Sequence, residues 1–367
     1  MKIDIYSPRL DIPFKNVSQG LTAKPALELI REQMTAEMLK KFGVTPISKV
    51  PVNLQPIRVN WFNFIEALKK RHQNLGHQIR VFELPLWQIT PDVVGNTSQA
   101  ADRIYIPHKM RENWWLDNRV HYYMQMVIPN IFSIDSHGWG ASAASFPIQP
   151  DGNLESGVFE MLRARIKINK SKFSQPEYKQ TNLEKGYVLF PCQLPHDETI
   201  KYHSDVEVSA ALKCTMEWVK DFNLSSAGKI NPRSIVVKGH PANPSSMAPL
   251  LQVFNEMLPE MNDRAHWIDN MSIHQLIAGA KVVVTVNSGA GLEAILHGKS
   301  IFTFGRADYA AVSHKCDGNL TTNKTAALDK SYREIDQADI ITYRKFVDAW
   351  YNTHYDYRNF ETFDKIA

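Results

Sequence analysis

The alternation of short apolar runs with amphipathic segments through the second half of the chain restricts the fold more than any other feature. KGYVLFPCQL at 185–194 is apolar and rich in aromatic and β-branched residues, and predicts a buried strand. Helical spacing follows over 206–222, with Val208, Leu212, Met216 and Val219 on one side. SIVVK at 234–238 predicts a second strand, stopped by Gly239-His240-Pro241. A helix over 247–258 carries Leu250, Leu251, Phe254 and Met257 as its apolar stripe, and its Pro249 falls in the first turn, where proline is tolerated. A strand at 266–268, a helix at 272–278 with Ser272 as N-cap, the run VVVTV at 282–286, a helix at 289–297 ended by Gly298 and a strand at 301–304 complete the series. Strands and helices alternating with short connections specify a parallel sheet covered on both faces, a Rossmann-like domain. The strands are near-continuous apolar runs because both faces of such a sheet are buried.

The first half carries a weaker pattern. A strand is predicted at 3–6, helices at 25–41 and 60–75, and strands at 79–84, 104–106 and 131–134. Pro25 suits a first helical position, and Gly76 ends the second helix. Proline-containing stretches at 46–56, 85–91 and 147–150 are expected to be loops. This half is expected to be a second α/β domain with irregular insertions. Between the halves, basic residues alternate from Arg163 to Lys172 and a polar stretch runs on to Glu184. The domain boundary is placed there, giving an N-terminal domain over 1–175, a nucleotide-binding domain over 176–335 and a terminal helix over 336–367. The basic stretch could touch an anionic membrane surface or a charged glycan, or be a solvated linker or helix face, the commoner case. The terminal helix carries Tyr343, Phe346, Trp350, Tyr351, Tyr355 and Tyr357, too many aromatics to stand in solvent. Packing back onto the first domain is one way to bury them.

A length of 367 residues suits about two domains. Hydrophobic content of 44% with 22% charged residues is that of a folded globular protein. A net charge of +4 is too small for a dedicated nucleic-acid binder, and no nucleic-acid module is matched. It would suit an acidic sugar donor or acceptor. Cys192, Cys214 and Cys316 provide neither a disulfide framework nor zinc spacing, and a reducing compartment is expected. The start, MKIDIYSPRL, lacks the apolar core of a signal peptide, and no stretch approaches the ~18 apolar residues of a membrane span. The expected location is cytoplasmic, at most peripheral to the inner membrane.

Ligands of open α/β sheets bind outside the carboxyl ends of the strands, so the residues after each strand are the candidates. After VVVTV, Ser288 would cap the next helix, Gly289 and Gly291 permit close backbone approach, and free N–H groups there would take a phosphate. Glu293, in the first turns, could take both hydroxyls of a ribose. A plain helix cap with a dipole-favourable Glu fits as well. After SIVVK, Lys238 and His240 would point the same way and neutralise a phosphate. After the strand at 185–194, Asp197 and Glu198 with His196 and His203 could do acid–base or nucleophilic work, or line a solvated loop. In the first half, Asp135-Ser136-His137-Gly138-Trp139-Gly140 is the best candidate, with a structural turn as the other reading.

Other motifs fail. His297-Gly-Lys-Ser300 has Glu293 where a P-loop needs glycine, and it precedes a strand. There is no Asp-x-Asp, no His-Glu-x-x-His and no Rossmann dinucleotide fingerprint on the first strand, so neither a metal nor a cofactor is expected.

Taken in order, Gln193-x-x-x-Asp197, Lys238-Gly-His-Pro241 and Asn287-Ser-Gly-Ala-Gly-Leu-Glu-Ala294, followed by Gly298-Lys299 and Phe304-Gly305, resemble the capsular polysaccharide biosynthesis family of retaining β-Kdo glycosyltransferases. Asp135 to Gly140 is similar to the acidic, glycine-containing motif of that family's first domain. The resemblance covers about residues 125–310. It implies a GT-B fold, two Rossmann-like domains facing across a cleft, with the acceptor on the first. The implied donor is a CMP-activated ulosonic acid, typically CMP-Kdo, and the implied acceptor a cell-surface glycan or glycolipid such as capsule or lipopolysaccharide. By the resemblance His240 and Ser288 hold the phosphate, Glu293 the ribose, and Asp197 is the nucleophile of a double displacement. Asp135 is the implied acid/base, with His137 beside it. Gln193, His203, Lys238, Pro241, Asn287 and Gly289 complete the implied site. A single-phosphate donor has less need of a metal clamp, in line with the missing Asp-x-Asp. The family's first-domain motif usually carries an Arg near its end, where this chain has Trp139-Gly-Ala-Ser142. Implied partners are the donor, the acceptor and a peripheral contact with the inner membrane or a capsule assembly complex. The alternatives are the same chemistry with CMP-pseudaminic or CMP-sialic acid, a UDP-sugar epimerase or transferase, and a non-catalytic scaffold.

Overall fold

The computed structural model describes residues 1–8, 55–225, 233–241, 244–315 and 324–366. The expected helix at 25–41 and Cys316 lie outside these residues, as does the expected loop at 46–56 except for its last two positions, which open a helix. The chain is α/β and divides into two compact units. Unit 1 is Met1–Ser145, Lys172–Ser174 and Asn352–Ala367; unit 2 is Phe146–Ser171 and Gln175–Tyr351.

Unit 1 runs β1 (Lys2–Pro8), α1 (Gln55–Asn74), β2 (Gln78–Leu84), α2 (Pro91–Thr97), β3 (Arg103–Pro107), β4 (Val120–Gln125) and β5 (Ile131–Asp135), with β12 (Tyr355–Asp356) returning late in the chain. The sheet order is β12-β5-β4-β3-β1-β2. The four strands β2, β1, β3 and β4 are parallel, while β5 runs antiparallel to β4 and β12 antiparallel to β5. In α1, Ile57, Trp61, Phe64, Ile65 and Leu68 form a buried stripe at helical spacing. Phe64 stacks on Phe132 of β5 at 4.0 Å, and Trp61 meets the same ring edge-on at 5.3 Å. The expected loop at 85–91 ends in a helix: Thr90 accepts the Val93 N–H at 3.3 Å, and Pro91 sits in the first turn of α2. A parallel pair needs a crossover of about a dozen residues. Between β3 and β4 it is the irregular segment 108–119, anchored by Trp114, whose Nε1 donates to the Ile89 carbonyl and whose carbonyl accepts from Tyr122 Oη.

Unit 2 contains α3 (Val158–Lys167), β6 (Tyr187–Pro191), α4 (Glu198–His203), α5 (Val208–Ser225), β7 (Ile235–Lys238), α6 (Ala248–Met257), β8 (Ala265–Ile268), α7 (Ile273–Gly279), β9 (Ala280–Thr285), α8 (Ala290–Leu296), β10 (Ser300–Thr303), β11 (His314–Lys315), α9 (Lys324–Ser331) and α10 (Gln337–Thr353). Its sheet is wholly parallel, in the order β11-β10-β9-β6-β7-β8. Val188, Phe190, Ile235, Val237, Val282 and Val284 of the sheet share a core with Leu212, Met216 and Val219 of α5 and Leu250 and Phe254 of α6. Burial of each such side chain stabilises by about 1.5–3 kcal/mol relative to exposure.

The expected boundary at 175/176 requires correction, because the division falls after residue 145. The cause is packing. The basic stretch is largely helix α3, whose Phe159, Leu162 and Ile166 are buried within unit 2. Ahead of it, Gly152 lies so close to α10 that a Cβ would stand 2.4 Å from the Lys345 carbonyl, and Asp348 accepts the Asn153 N–H at 2.7 Å. The terminal segment is shared: residues up to Tyr351 belong to unit 2, and those from Asn352 to unit 1.

Candidate functional site

The sheet order of unit 2 reverses between β6 and β9. From β6 the chain moves outward through β7 and β8, then returns to the other side of β6 as β9. The carboxyl ends of β6 and β9 are therefore the switch point where such sheets take ligands. Gln193 and Asn287 meet there. Gln193 Nε2 donates to Asn287 Oδ1 at 2.7 Å, and its Oε1 accepts from the Asn287 N–H at 3.0 Å and from Thr285 Oγ1 at 3.2 Å. Both residues are buried, so this amide pair braces the floor of the site and is not available to a ligand. Asn287 Nδ2 reaches on to the Thr199 carbonyl at 2.9 Å.

Asp197 is the N-cap of α4. Its Oδ1 accepts the Thr199 N–H at 2.9 Å and Thr199 Oγ1 at 2.8 Å. Oδ2 has no hydrogen-bond partner among the described residues. The carboxylate is thus fixed at one oxygen and open at the other, and it is tied to Asn287 through Thr199. His203, at the end of the same helix, is 3% exposed, and its carbonyl accepts the Arg306 N–H.

The start of α8 differs from expectation. Gly289, not Ser288, is the N-cap residue. The N–H groups of Ser288, Ala290, Gly291 and Leu292 are already taken, by Thr285 Oγ1, Ser288 Oγ, the Ser288 carbonyl and the Gly289 carbonyl. Among these, only the Gly289 N–H is left without a partner among the described residues. Gly291 serves packing: a Cβ there would lie 2.2 Å from the ring of Tyr309, whose hydroxyl donates to the Ser288 carbonyl.

Lys238 is 7% exposed and donates to the carbonyls of Gly239 at 3.0 Å and Asp269 at 2.8 Å. Burial lowers its pKa, and the Asp269 carboxylate partly opposes this. Lys238 therefore holds the ends of β7 and β8 together. The expected common direction of Lys238 and His240 fails because β7 ends at Lys238. Gly239 follows, so closely packed that a Cβ would strike the Asp269 carboxylate. His240 and Pro241 are half-buried beyond it.

Glu293 also departs from its expected role. Every residue of α8 is buried, Glu293 to 2% exposure, so its carboxylate is closed off from a ribose. It faces His274 Nε2 at 3.8 Å and the Ser171 side chain, and desolvation raises its pKa. His274 in turn lies 3.3 Å from His297 Nε2, and burial together with His274 lowers the His297 pKa to about 3.

In unit 1, Asp135 organises a loop. Oδ1 accepts the N–H groups of His137, Gly138 and Ala144 at 2.7, 3.2 and 3.0 Å, and Oδ2 accepts that of Ala144 at 3.0 Å. Because β5 is antiparallel, Asp135 pairs with Tyr122, two residues into β4, and its loop leaves beside the crossover 108–119. The rule for carboxyl ends of parallel strands does not extend to it. His137 is the open group, with 46% of its side chain exposed and Nδ1 3.9 Å from Asp135 Oδ1. Its Nε2 lies 3.2 Å from Arg111 Nη1 and its Nδ1 3.0 Å from Ser136 Oγ. A guanidinium only donates, so Nε2 accepts and the proton sits on Nδ1.

Sequence reasoning missed Arg306 and Arg111. Arg306 follows Phe304-Gly305 at the end of β10, is exposed, and donates through Nη2 to the Tyr202 carbonyl at 2.7 Å. Its position after a strand was the available signal. Arg111 had none, since nothing in the sequence ties it to His137. Among the described residues no three His, Cys, Asp or Glu side chains cluster as metal ligands, and no helix is long and apolar enough to cross a membrane.

The chain is similar to several known proteins. Protein FixF of Sinorhizobium fredii (strain NBRC 101917 / NGR234) is 29% identical over 164 residues, 43% of this chain and 36% of FixF. The capsule polysaccharide export protein KpsS of Escherichia coli is 26% identical over 141 residues, 38% of this chain and 34% of KpsS. The chain thus matches about a third of the length of each of these curated relatives. Among solved structures, the β-Kdo 2,4 transferase KpsC of Thermosulfurimonas dismutans superposes with a TM-score of 0.45 at 12% identity, over 77% of this chain and 87% of that one. S. aureus MnaA, in its UDP co-structure, gives 0.39 at 11% identity, over 95% and 92% of the two chains. Residues 149–347 match the family described as capsule polysaccharide biosynthesis protein. That stretch is more than half of the sequence and contains the whole switch point, so the chain belongs to the capsule polysaccharide biosynthesis protein family.

Proposed function

We propose that this chain is a glycosyltransferase of capsule or related surface-polysaccharide synthesis that uses a CMP-activated ulosonic acid, such as CMP-Kdo, and retains configuration by two displacements. The observation that carries this reading is Asp197, with one oxygen fixed by the helix it caps and the other open beside the switch point. In the first displacement Oδ2 attacks the anomeric carbon, the bond to the phosphate oxygen breaks, and CMP departs with the electron pair. In the second, an acceptor hydroxyl attacks the same carbon, its proton passes to a base, and the Asp197 carboxylate leaves. His240, Ser288 and the Gly289 N–H are assigned to the phosphate. That base is assigned to neither Asp135, whose oxygens are engaged by backbone N–H groups, nor His137, whose Nε2 already accepts from Arg111 Nη1. Asp135 positions the loop that carries His137. Glu293 receives no ribose contact, since it is enclosed.

Thermal unfolding with CMP, UMP, UDP, GDP and NAD in turn tests the donor class. A ligand of the folded state at ~100 times its dissociation constant adds about 2.7 kcal/mol. The expected result is a raised midpoint with CMP alone. A shift with UDP or NAD and none with CMP would remove the CMP-sugar reading.

A further inference from the structure

Arg111 is an exposed cation built into place from three directions. Its backbone N–H donates to the His137 carbonyl at 2.7 Å, its guanidinium lies 4.0 Å from the centre of the Trp115 ring, and Nη1 rests on His137 Nε2 at 3.2 Å. No carboxylate among the described residues neutralises it. The neighbouring Glu112 is turned away to accept from Ser142 Oγ, and Asp135 is occupied by backbone N–H groups. With Nη1 engaged, the Nε and Nη2 edge remains, the side of the fork that takes a carboxylate through two parallel hydrogen bonds. Trp115 is itself 38% exposed, although tryptophan is ordinarily well covered. An aromatic surface next to a held guanidinium suits the C–H face of a sugar ring that carries a negative charge.

We propose that Arg111, Trp115 and His137 form a subsite for a carboxylated sugar. The carboxylate lies on the Nε and Nη2 edge of Arg111, and the ring packs on Trp115 beside the His137 imidazole. This deepens the proposed function and rests on it: the acceptor glycan carries an acidic sugar, bound on unit 1. Arg111 is then the residue that selects acidic over neutral glycans.

The test uses the full chain with N-acetylneuraminic acid and glucuronic acid, each against its methyl ester, which removes the charge and keeps the ring. Binding is followed by calorimetry and by tryptophan fluorescence. The expected preference for acid over ester is about 10- to 100-fold, as befits a charge-assisted pair, and it weakens with added salt. Arg111→Gln abolishes the preference, Arg111→Lys keeps part of it, and Trp115→Ala weakens acid and ester alike. The side chains are exposed, so the variants are expected to fold, which an unchanged unfolding midpoint checks. Equal binding of acid and ester, absence of saturable binding by either pair, or a preference that survives Arg111→Gln overturns the proposal. The CMP measurement separates the two readings. A CMP response without carboxylate preference removes only the subsite, and a carboxylate preference without a CMP response removes only the donor assignment.

Discussion

A carboxylate at a helix N-cap and a carboxylate that attacks carbon make different demands on one side chain. In the proposed mechanism Asp197 would meet both, since Oδ1 is held by Thr199 and Oδ2 is not. The demands separate by mutation. Asparagine caps a helix about as well as aspartate, whereas alanine costs about 0.5–2 kcal/mol. Asp197→Asn should therefore keep the wild-type unfolding midpoint and the CMP response, while transfer, read by mass spectrometry of the product, falls by roughly 10⁴-fold. Asp197→Ala should lose transfer and also unfold earlier. Full turnover by the asparagine variant would exclude Asp197 as nucleophile. Asp197 stood out in the sequence because it follows a strand within a short recognisable pattern. The roles of its neighbours did not. The partner of Gln193 lies 94 residues away, and the capture of Lys238 by the Asp269 carbonyl depends on two strands being adjacent. Sequence spacing shows which residues follow a strand but not where their side chains are already committed.

Helix α8 shows how an element can be legible in outline and misleading in detail. Its position after VVVTV and its end at Gly298, with φ of 67°, agree with expectation. The glycine at 291 suggested room for a phosphate, but the room is filled by Tyr309. Gly291→Ala should therefore act on stability, lowering it by about 1–3 kcal/mol through overpacking against a ring that is 1% exposed. Urea unfolding would measure this, and an unchanged midpoint would mean that Tyr309 moves aside freely. The strands of unit 2 were readable because a sheet buried on both faces has no polar alternation to blur it. Strand β4, VHYYMQ, went unnoticed because it follows a stretch rich in tryptophan and charge, and its histidine and glutamine break the apolar run. Helix α3 was obscured in a similar way: its basic residues dominate the sequence, while three buried positions fix its place.

At the scale of the molecule, each unit contains a histidine that the fold keeps neutral. Burial, with neighbouring cations, lowers both His72 in unit 1 and His297 in unit 2 from 6.5 to about 3. The unfolded chain takes up these protons below about pH 6.5 and the folded chain does not, so stability is complete above that pH and is lost as pH falls towards about 3. At about pH 5 each histidine should cost about 2 kcal/mol. The raised carboxyls of Glu293 and Asp308 work in the opposite sense and offset part of the loss. Unfolding free energies at about pH 7.5, 6 and 5 should fall with acidification, and His72→Asn with His297→Gln should flatten the slope, whatever they do to its height. An unchanged slope would place the protons elsewhere. The pairing of β12 with β5 has a further consequence, for the chain as it is made. The outer edge of the first sheet emerges from the ribosome with Asp135, but the strand that covers it is not synthesised until Asp356. At ordinary elongation rates that interval is on the order of 10–40 s. Throughout it β5 offers unpaired backbone groups to any other extended chain, so the nascent protein is most exposed to aggregation while unit 2 is being translated.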